Sequence, residues 1–499
     1  MLALTNGTIA TSKWDGAVYR YRIQNLLFVT TLVAFTCVLR AHSDSNADQL
    51  SVIPAAQSEK PTGKFAYQGV GGCAAMACHH QNGPKGSSRS EYSTWAGSDK
   101  HSQAYAVLFD EWAQTIERNY RRLPDLKLAK AYEDQLCLKC HVHPEIATAN
   151  FSDRFSHNDG VGCENCHGPA EGWLTLHYRS DWKDKPSAEK ASLGFRDLKD
   201  LNVRSQSCVA CHVGAPGMEV DHDLIAAGHP RLAFEFAGYH ALMPRHWKET
   251  GRNAQPDFEA RAWTIGQLTT AKASLTLLAD RAARAASSQT SKKQPWPEFA
   301  EYDCFACHHD LKSNTKTAQR PQSSRAVGTL PWGDWYFSSA TSVFARQSGD
   351  SKDISHLLSL RSMLEQPYPD PAGVEKHAKA CIEKLNAALE SANKANYDQA
   401  AVEQIFAELA KSSPVGWPQS TSWDSATQTY LGLAAIHASL HEMKKGFNPE
   451  LKQSIEQYGK LLDRSFPKLP RGRATSPRDF DFEKARQQRE QIDRQRATR

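Results

Sequence analysis

The 499-residue chain has no strong excess of charge, no low-complexity bias and only one long uncharged apolar run. Its formal net charge of +5 is too small to make a nucleic acid the main partner. One apolar run excludes a polytopic membrane protein, and ordinary glycine and proline contents exclude a collagen-like chain. Hydrophobic residues make up only 40% of the sequence, which is little apolar material for a globular chain. We therefore expect a globular protein, of roughly three domains by length, that is short of its own core.

Cysteine, in contrast, is abundant and regularly placed. Ten of the twelve cysteines form five pairs, and each pair is followed directly by a histidine. Four pairs read Cys-x-x-Cys-His, and the first pair along the chain has four residues between its cysteines. In chain order the five motifs are Cys73, Cys78 and His79; Cys137, Cys140 and His141; Cys163, Cys166 and His167; Cys208, Cys211 and His212; and Cys304, Cys307 and His308.

Cys-x-x-Cys-His is the signature of covalent attachment of haem c. Two thiols on one turn add to the two vinyl groups of the porphyrin, and the next histidine reaches the iron from the proximal side. Zinc sites also use Cys-x-x-Cys pairs, but they do not need a histidine after every second cysteine. A thioredoxin-like redox pair would not recur four times. For Cys73 and Cys78, a disulfide or an unmodified pair remains the alternative to a fifth haem.

The N-terminus carries the export signal that covalent haem attachment outside the cytoplasm requires. Residues 23–39 have no charge and follow Lys13, Arg20 and Arg22, as in a secretory signal. The apolar run is shorter than the ~20 residues of a spanning helix, so residues 1–43 are either a cleaved signal peptide or an N-terminal anchor. We expect a periplasmic or otherwise extracytoplasmic protein.

The rest of the chain divides by composition, and the expected fold class is mainly α with long haem-wrapping loops. The motifs are too closely spaced along the chain for each haem to have a separate domain, so all five should share one core. A C-terminal helical bundle should follow this core. The expected segments are a linker at 44–65, a pentahaem cytochrome domain at 66–335, a helical bundle at 336–465 and a basic tail at 466–499. The charged composition of the tail favours a solvated segment over a docking site for an acidic partner or lipid headgroups.

Several helices can be placed from periodicity and capping residues. A long helix is predicted over residues 256–286, and another over 371–394, where apolar residues recur at three and four with Cys381 on the buried stripe. Ser422 is predicted to cap a helix and Pro449 to open the next one.

The flanking sequences resemble the multihaem cytochrome c-554 type. The resemblance rests on CAAMACHH followed by WAGSDKHSQA, on GVGCENCHGPAEGWLTLH, on CVACHVG followed by DHDLIAAGHPRL, and on EYDCFACHHDL. It spans about residues 66–335. The longer insert of the first motif and the fifth motif depart from the tetrahaem pattern. The resemblance implies a periplasmic electron carrier with mostly bis-histidine haems, one of which can be five-coordinate.

Ten further histidines between residues 73 and 309 can supply sixth ligands for five irons. The family blocks favour His101 and His177. The next candidates are His222 and His229, then His309 and His80, which directly follow proximal histidines, and His157. His143, His240 and His246 are expected to be structural.

The expected function is a relay of electrons between a redox protein donor and acceptor through five covalently bound haem c groups. The alternative is a multihaem oxidoreductase that acts on a small nitrogen or sulfur compound at one five-coordinate haem. The supply of histidines and the lack of a Cys-x-x-Cys-Lys variant favour a carrier over a catalyst. No nucleic acid partner is expected, and membrane association could come from the N-terminal segment or the basic tail.

Overall fold

The computed structural model describes residues 64–287, 295–308, 329–348, 354–411, 422–444, 448–463 and 480–497. The predicted signal segment, nearly all of the predicted linker and His309 lie outside these ranges. All described residues belong to one compact unit. The domain boundaries drawn from composition therefore stay predictions.

The described chain is mainly helical, which confirms the expected fold class. Over these ranges its β-structure consists of isolated bridges. The helices in chain order are α1 (Glu91–Ser98), α2 (Glu111–Arg121), α3 (Gln135–His141), α4 (Cys163–His167), α5 (Ser187–Ser192), α6 (Leu201–His212), α7 (His222–Ala227), α8 (Phe236–Leu242), α9 (Phe258–Ala286), α10 (Ala340–Ser348), α11 (Ser355–Leu364), α12 (Pro371–Lys394), α13 (Gln399–Ala410), α14 (Trp423–Lys444), α15 (Pro449–Asp463) and α16 (Phe482–Ala497).

Helix α9 is the central element of the larger core, and its bounds confirm the long helix predicted at 256–286. It packs against α12 along its length and also contacts α6, α8, α10 and α14. Its single glycine, Gly266, lies against Phe236, and a Cβ there would come within 2.6 Å of the Phe236 Cβ. The close approach of α8, which begins at Phe236, to α9 therefore requires this glycine.

The C-terminal helices confirm the periodicity and capping predictions. Helix α12 spans the predicted residues, and Cys381 on its inner stripe is buried. The Ser422 hydroxyl accepts a hydrogen bond from the Ser425 N–H (3.0 Å) and caps α14, while Pro449 opens α15. These helices bury the apolar residues that the 3.6-residue period placed on one face.

The described part of the basic tail is a packed helix. Helix α16 contacts α13 and α15 and buries Ala485 and Ile492, and Phe480 just before it is also buried. The expectation of a solvated tail is therefore wrong for residues 480–497. The reason is that a few apolar residues at helical spacing give this charged segment one face that packs.

The motif-bearing region is built differently from the bundle. Apart from α9, its helices are short, and its separate apolar clusters are small: one contains Leu108, Leu138 and Val142, and another contains Trp173 and Trp182. None of the helices in the described part of the chain is long and apolar enough to cross a membrane.

Candidate functional site

Three of the motifs lie at the C-terminal ends of short helices. Helices α3, α4 and α6 each end at the proximal histidine, namely His141, His167 and His212. Because positions i and i+3 of a helix share one face, both cysteines of a motif point to the same side, and the histidine follows one residue later. The fifth motif lies on a 3₁₀ turn at Cys304–Ala306, and the first motif lies in turns.

Polar caps explain why such short segments are ordered. The Asp134 carboxylate accepts from the Leu136 N–H at the start of α3, and Asp200 accepts from two backbone N–H groups at the start of α6. Asp303 caps the turn of the fifth motif in the same way, through the Phe305 N–H (2.9 Å). Carboxylates at these positions satisfy N–H groups that have no partner within the helix.

Four of the five proximal histidines face a second histidine ring. The ring centres lie 6.0 Å apart for His79 and His177, 6.0 Å for His212 and His101, 6.4 Å for His167 and His246, and 6.4 Å for His308 and His222. Two imidazoles on opposite sides of one metal ion, each about 2 Å from it, place their ring centres roughly 6 Å apart. The observed separations therefore fit two axial ligands of one iron.

The fifth proximal histidine, His141, has His229 as its neighbour. Burial lowers the pKa of His229, and the charge of His141 lowers it further, so the two side chains lie within electrostatic range of each other. Four motifs are thus matched with a distant histidine by ring contact, and the second motif has His229 in its neighbourhood.

Hydrogen bonds determine which nitrogen of each histidine ring is available to bind a metal. The Nδ1 atoms of His141, His177 and His229 contact the backbone carbonyls of Ala104, Leu174 and Pro230 at 2.7–2.8 Å. A carbonyl only accepts, so Nδ1 carries the proton and Nε2 keeps its lone pair. This is the tautomer that a histidine ligand needs.

Carboxylates hold the proton on Nδ1 in two other histidine rings. The Nδ1 of His79 lies 3.0 Å from Glu91 Oε2, and the Nδ1 of His101 lies 2.9 Å from Asp99 Oδ1. Asp99 is buried, and although burial alone would raise its pKa, the hydrogen bonds and charge of His101 lower it. Both carboxylates orient their rings with Nε2 free for iron.

Burial keeps the inner imidazoles neutral. It lowers the pKa of His141 and His246, and it lowers the pKa of His167 and His212 to about 4, with smaller contributions from nearby charges. A neutral imidazole is the form that binds a metal, so these rings are ready to coordinate at neutral pH.

Other histidines have different partners. The Nδ1 of His143 accepts from the Glu145 N–H (3.1 Å), and the Nε2 of His240 lies 3.1 Å from Arg204 Nη1, which can only donate. His80 packs on Tyr92, and His157 packs on Tyr105 and Phe155. Among the described ring contacts, none of these four faces a proximal histidine, although His80 and His157 were candidates.

The motifs lie against one another. The Cys163 thiol forms a hydrogen bond with Cys73, which lowers the pKa of Cys73 and joins the first and third motifs. The third and fourth motifs meet where Cys166 contacts Ser207. A contact between the thiols of Cys140 and Cys211 joins the second and fourth motifs.

The fifth motif connects to the second through one short segment. His222, which faces His308, begins α7, and His229, which lies near His141, directly follows its end. The second and third motifs also touch, since the Asn165 amide donates to the Val142 carbonyl (2.9 Å). The five motifs therefore form one continuous group.

The surrounding surface fits a large apolar cofactor. With the exception of Tyr368, the large hydrophobic side chains that are exposed in the described chain lie between residues 76 and 299. They are Met76, Val107, Phe109, Trp112, Leu128, Tyr178, Tyr239, Leu242 and Phe299. Porphyrin rings would cover apolar surface of this kind, whereas a zinc ion would leave it in water.

The zinc alternative has no such support. Among the described residues, one group of potential ligands converges, and it consists of Glu117, Asp134 and Cys137 rather than a set of cysteines and histidines.

Sequence reasoning missed one residue in this arrangement. His246 was expected to be structural, but it faces His167. Nothing in its local sequence separates it from His240. The signals for Asp99 and Glu91 are weak but present, since Asp99 precedes His101 by two residues and Glu91 opens α1.

Comparison with known proteins points to one family. The family described as cytochrome c554 and c-prime matches residues 73–168. Cytochrome c-554 of Nitrosomonas europaea is 27% identical over 123 residues, which are 23% of this chain and 50% of that protein. The chain thus spans about half the length of the curated relative it matches. No solved structure matches it.

The matched segment contains the first three motifs, and the likeness implies covalently bound haem c. Over residues 73–168 this chain is similar to the c-type cytochromes of the cytochrome c554 and c-prime family.

Proposed function

We propose that this protein is an exported pentahaem cytochrome that relays electrons between two redox proteins. The observation that carries the proposal is the pairing of each proximal histidine with one distant histidine. The proposed axial pairs are His79 with His177, His141 with His229, His167 with His246, His212 with His101, and His308 with His222.

Two imidazole ligands hold iron in a low-spin state with no open position. Such a haem passes single electrons and binds no substrate. Since four of the five proximal histidines face a second histidine ring and His141 lies within electrostatic range of His229, the arrangement supports a carrier better than an enzyme with a five-coordinate haem. The residues of this chain would orient the ligands and, through burial and hydrogen bonds to Nδ1, tune the haem potentials.

The contacts between motifs support a relay with two ends. The first motif touches the third, the third touches the fourth, and the fourth touches the second, which is joined to the fifth through α7. Cys78 and His308, at the two ends, are exposed. We infer that electrons enter at one of these ends and leave at the other.

The proposed location is outside the cytoplasm, because haem c is attached there and residues 13–39 have the pattern of an export signal. The proposed partners are redox proteins that dock at the exposed ends. Membrane association would need the N-terminal segment to remain attached.

The haem count is tested by the intact mass of the purified protein. The expected mass exceeds the processed polypeptide by five haems. An excess of four, with Cys73 and Cys78 free to react with a thiol reagent, would refute the haem assigned to the first motif.

Electron paramagnetic resonance of the oxidised protein tests the coordination. We expect only low-spin ferric signals, which do not change when cyanide or nitric oxide is added. A high-spin signal that disappears on adding cyanide would overturn the carrier proposal and support the enzyme.

A further inference from the structure

A cleft lies within the helical bundle, and none of its lining residues belongs to a motif. It is lined by residues of α9, α10, α13, α14 and α16, together with two serines just before α10. Three of the lining residues are serines, at positions 338, 339 and 342. A bundle core is normally apolar, so polar groups collected at one point in it need a partner.

Two buried hydrogen-bonding groups at this cleft have none. The Trp263 Nε1–H and the Ser338 hydroxyl have no hydrogen-bond partner among the described residues. Trp263 is 1% exposed and Ser338 is 3% exposed. A buried donor without an acceptor is destabilising, so a bound acceptor would be favourable here.

The charges of the lining add to this preference. Arg346 and Arg489 face one carboxylate, that of Glu408, which already pairs with Arg346. The Arg489 Nε donates to the Leu409 carbonyl (2.9 Å), and burial lowers the pKa of its guanidinium. An arginine in a protein remains charged even so. The lining therefore has a net charge of +1.

The carboxylate nearest to Arg489 on its own helix is otherwise engaged. Asp493 Oδ1 accepts a hydrogen bond from Arg496 (2.9 Å). The Arg489 guanidinium thus has spare donors beside the unpartnered Trp263 and Ser338 groups.

We propose that this cleft binds a small oxyanion through the Arg489 guanidinium, the Trp263 indole N–H and the Ser338 hydroxyl. Formate and nitrate are small oxyanions with two or three acceptor oxygens and a single negative charge. The oxygens of the bound anion accept from all three donors, and its single negative charge balances the charge of the lining.

Isothermal titration calorimetry on the full-length haem-loaded protein tests this, with sodium formate and sodium nitrate as probes at constant ionic strength. Formamide, which has the shape of formate but no charge, is the neutral control. We expect one site for each anion and no measurable binding of formamide. The haem absorption spectrum, recorded in parallel, should not change, which separates this site from any binding at iron.

Variants assign the site to these residues. Arg489→Gln and Ser338→Ala should each weaken anion binding by about 10- to 100-fold, the usual effect of removing one hydrogen bond to a charged group. Arg486→Gln is the matched control, because Arg486 lies on the same helix and pairs with Glu483 and Glu490 instead. It should bind the anion as the unmodified protein does.

Trp263→Phe removes the indole N–H while keeping an aromatic ring. It replaces Arg489→Gln as the test variant if circular dichroism shows that Arg489→Gln is unfolded. It should also weaken binding. Equal affinity of Arg489→Gln and Arg486→Gln, equal binding of formamide and formate, or no binding by the unmodified protein would each overturn the proposal.

Discussion

Replacing His246 by alanine tests the proposed ligand pairing most directly. His246 faces His167 with ring centres 6.4 Å apart, and among the described ring contacts no other histidine faces His167. Removing the imidazole would leave one iron with a single strong axial ligand. That iron should become high-spin, because an open or water-filled position gives a weak ligand field.

The expected size follows from the haem count. With the five haems proposed above, one haem in five should change, so about one fifth of the total iron should move from low-spin to high-spin signals, with the remainder unchanged. Quantitative electron paramagnetic resonance of the oxidised variant measures this fraction. Added imidazole should restore the low-spin signal, because it fits the space that the side chain leaves.

His240→Ala is the matched control. His240 is buried in the same segment, but its Nε2 lies against Arg204, and Arg204 remains paired with Glu249 (2.7 Å) after the change. All haems should stay low-spin. A high-spin signal from His240→Ala together with none from His246→Ala would refute the pairing and the hydrogen-bond argument behind it.

Three further changes have defined outcomes. Replacing Cys73 and Cys78 together by serine should lower the intact mass by one haem beyond the change in side chains. Arg231→Met leaves Asp424, which is 3% exposed, without its partner at 2.8 Å, and should lower the free energy of unfolding by about 3–5 kcal/mol in a denaturant titration. Burial raises the pKa of Glu235 from 4.5 to about 7. Its protonation therefore stabilises the fold fully below pH 4.5, and this stability is lost as the pH rises through 7. Glu235→Gln stays uncharged, so its advantage over the unmodified protein should grow by roughly 3 kcal/mol between pH 4 and pH 8.

Each of these changes has a control. Cys381→Ala removes a cysteine outside the motifs and should leave the haem mass unchanged. Arg179→Met breaks an exposed pair with Asp181 and should change the free energy of unfolding little. Glu450→Gln changes an exposed carboxyl and is the control variant for the pH series. A loss of unfolding free energy in Arg231→Met as small as that in Arg179→Met would contradict the expectation for Arg231. Parallel plots of unfolding free energy against pH for Glu235→Gln and the unmodified protein would contradict the expectation for Glu235.

Much of the bundle could be predicted because its signals are local. Ser422 and Pro449 mark helix starts, since each satisfies the geometry of a helix N-terminus without help from distant residues. The tail could not be predicted in the same way. The charged composition of residues 482–497 dominates their sequence, whereas the packing of Ala485 and Ile492 depends on a groove formed by other helices.

The same distinction runs through the haem sites. The cofactor and its attachment points are predictable from sequence alone, because both thiols and the proximal histidine of a motif lie within one or two turns of chain. The pairing of proximal with distant histidines, in contrast, depends on the tertiary structure. His101 faces His212, and His246 rather than His240 faces His167, because long-range packing selects the ring that reaches each site and hydrogen bonds occupy the Nε2 of the one that does not.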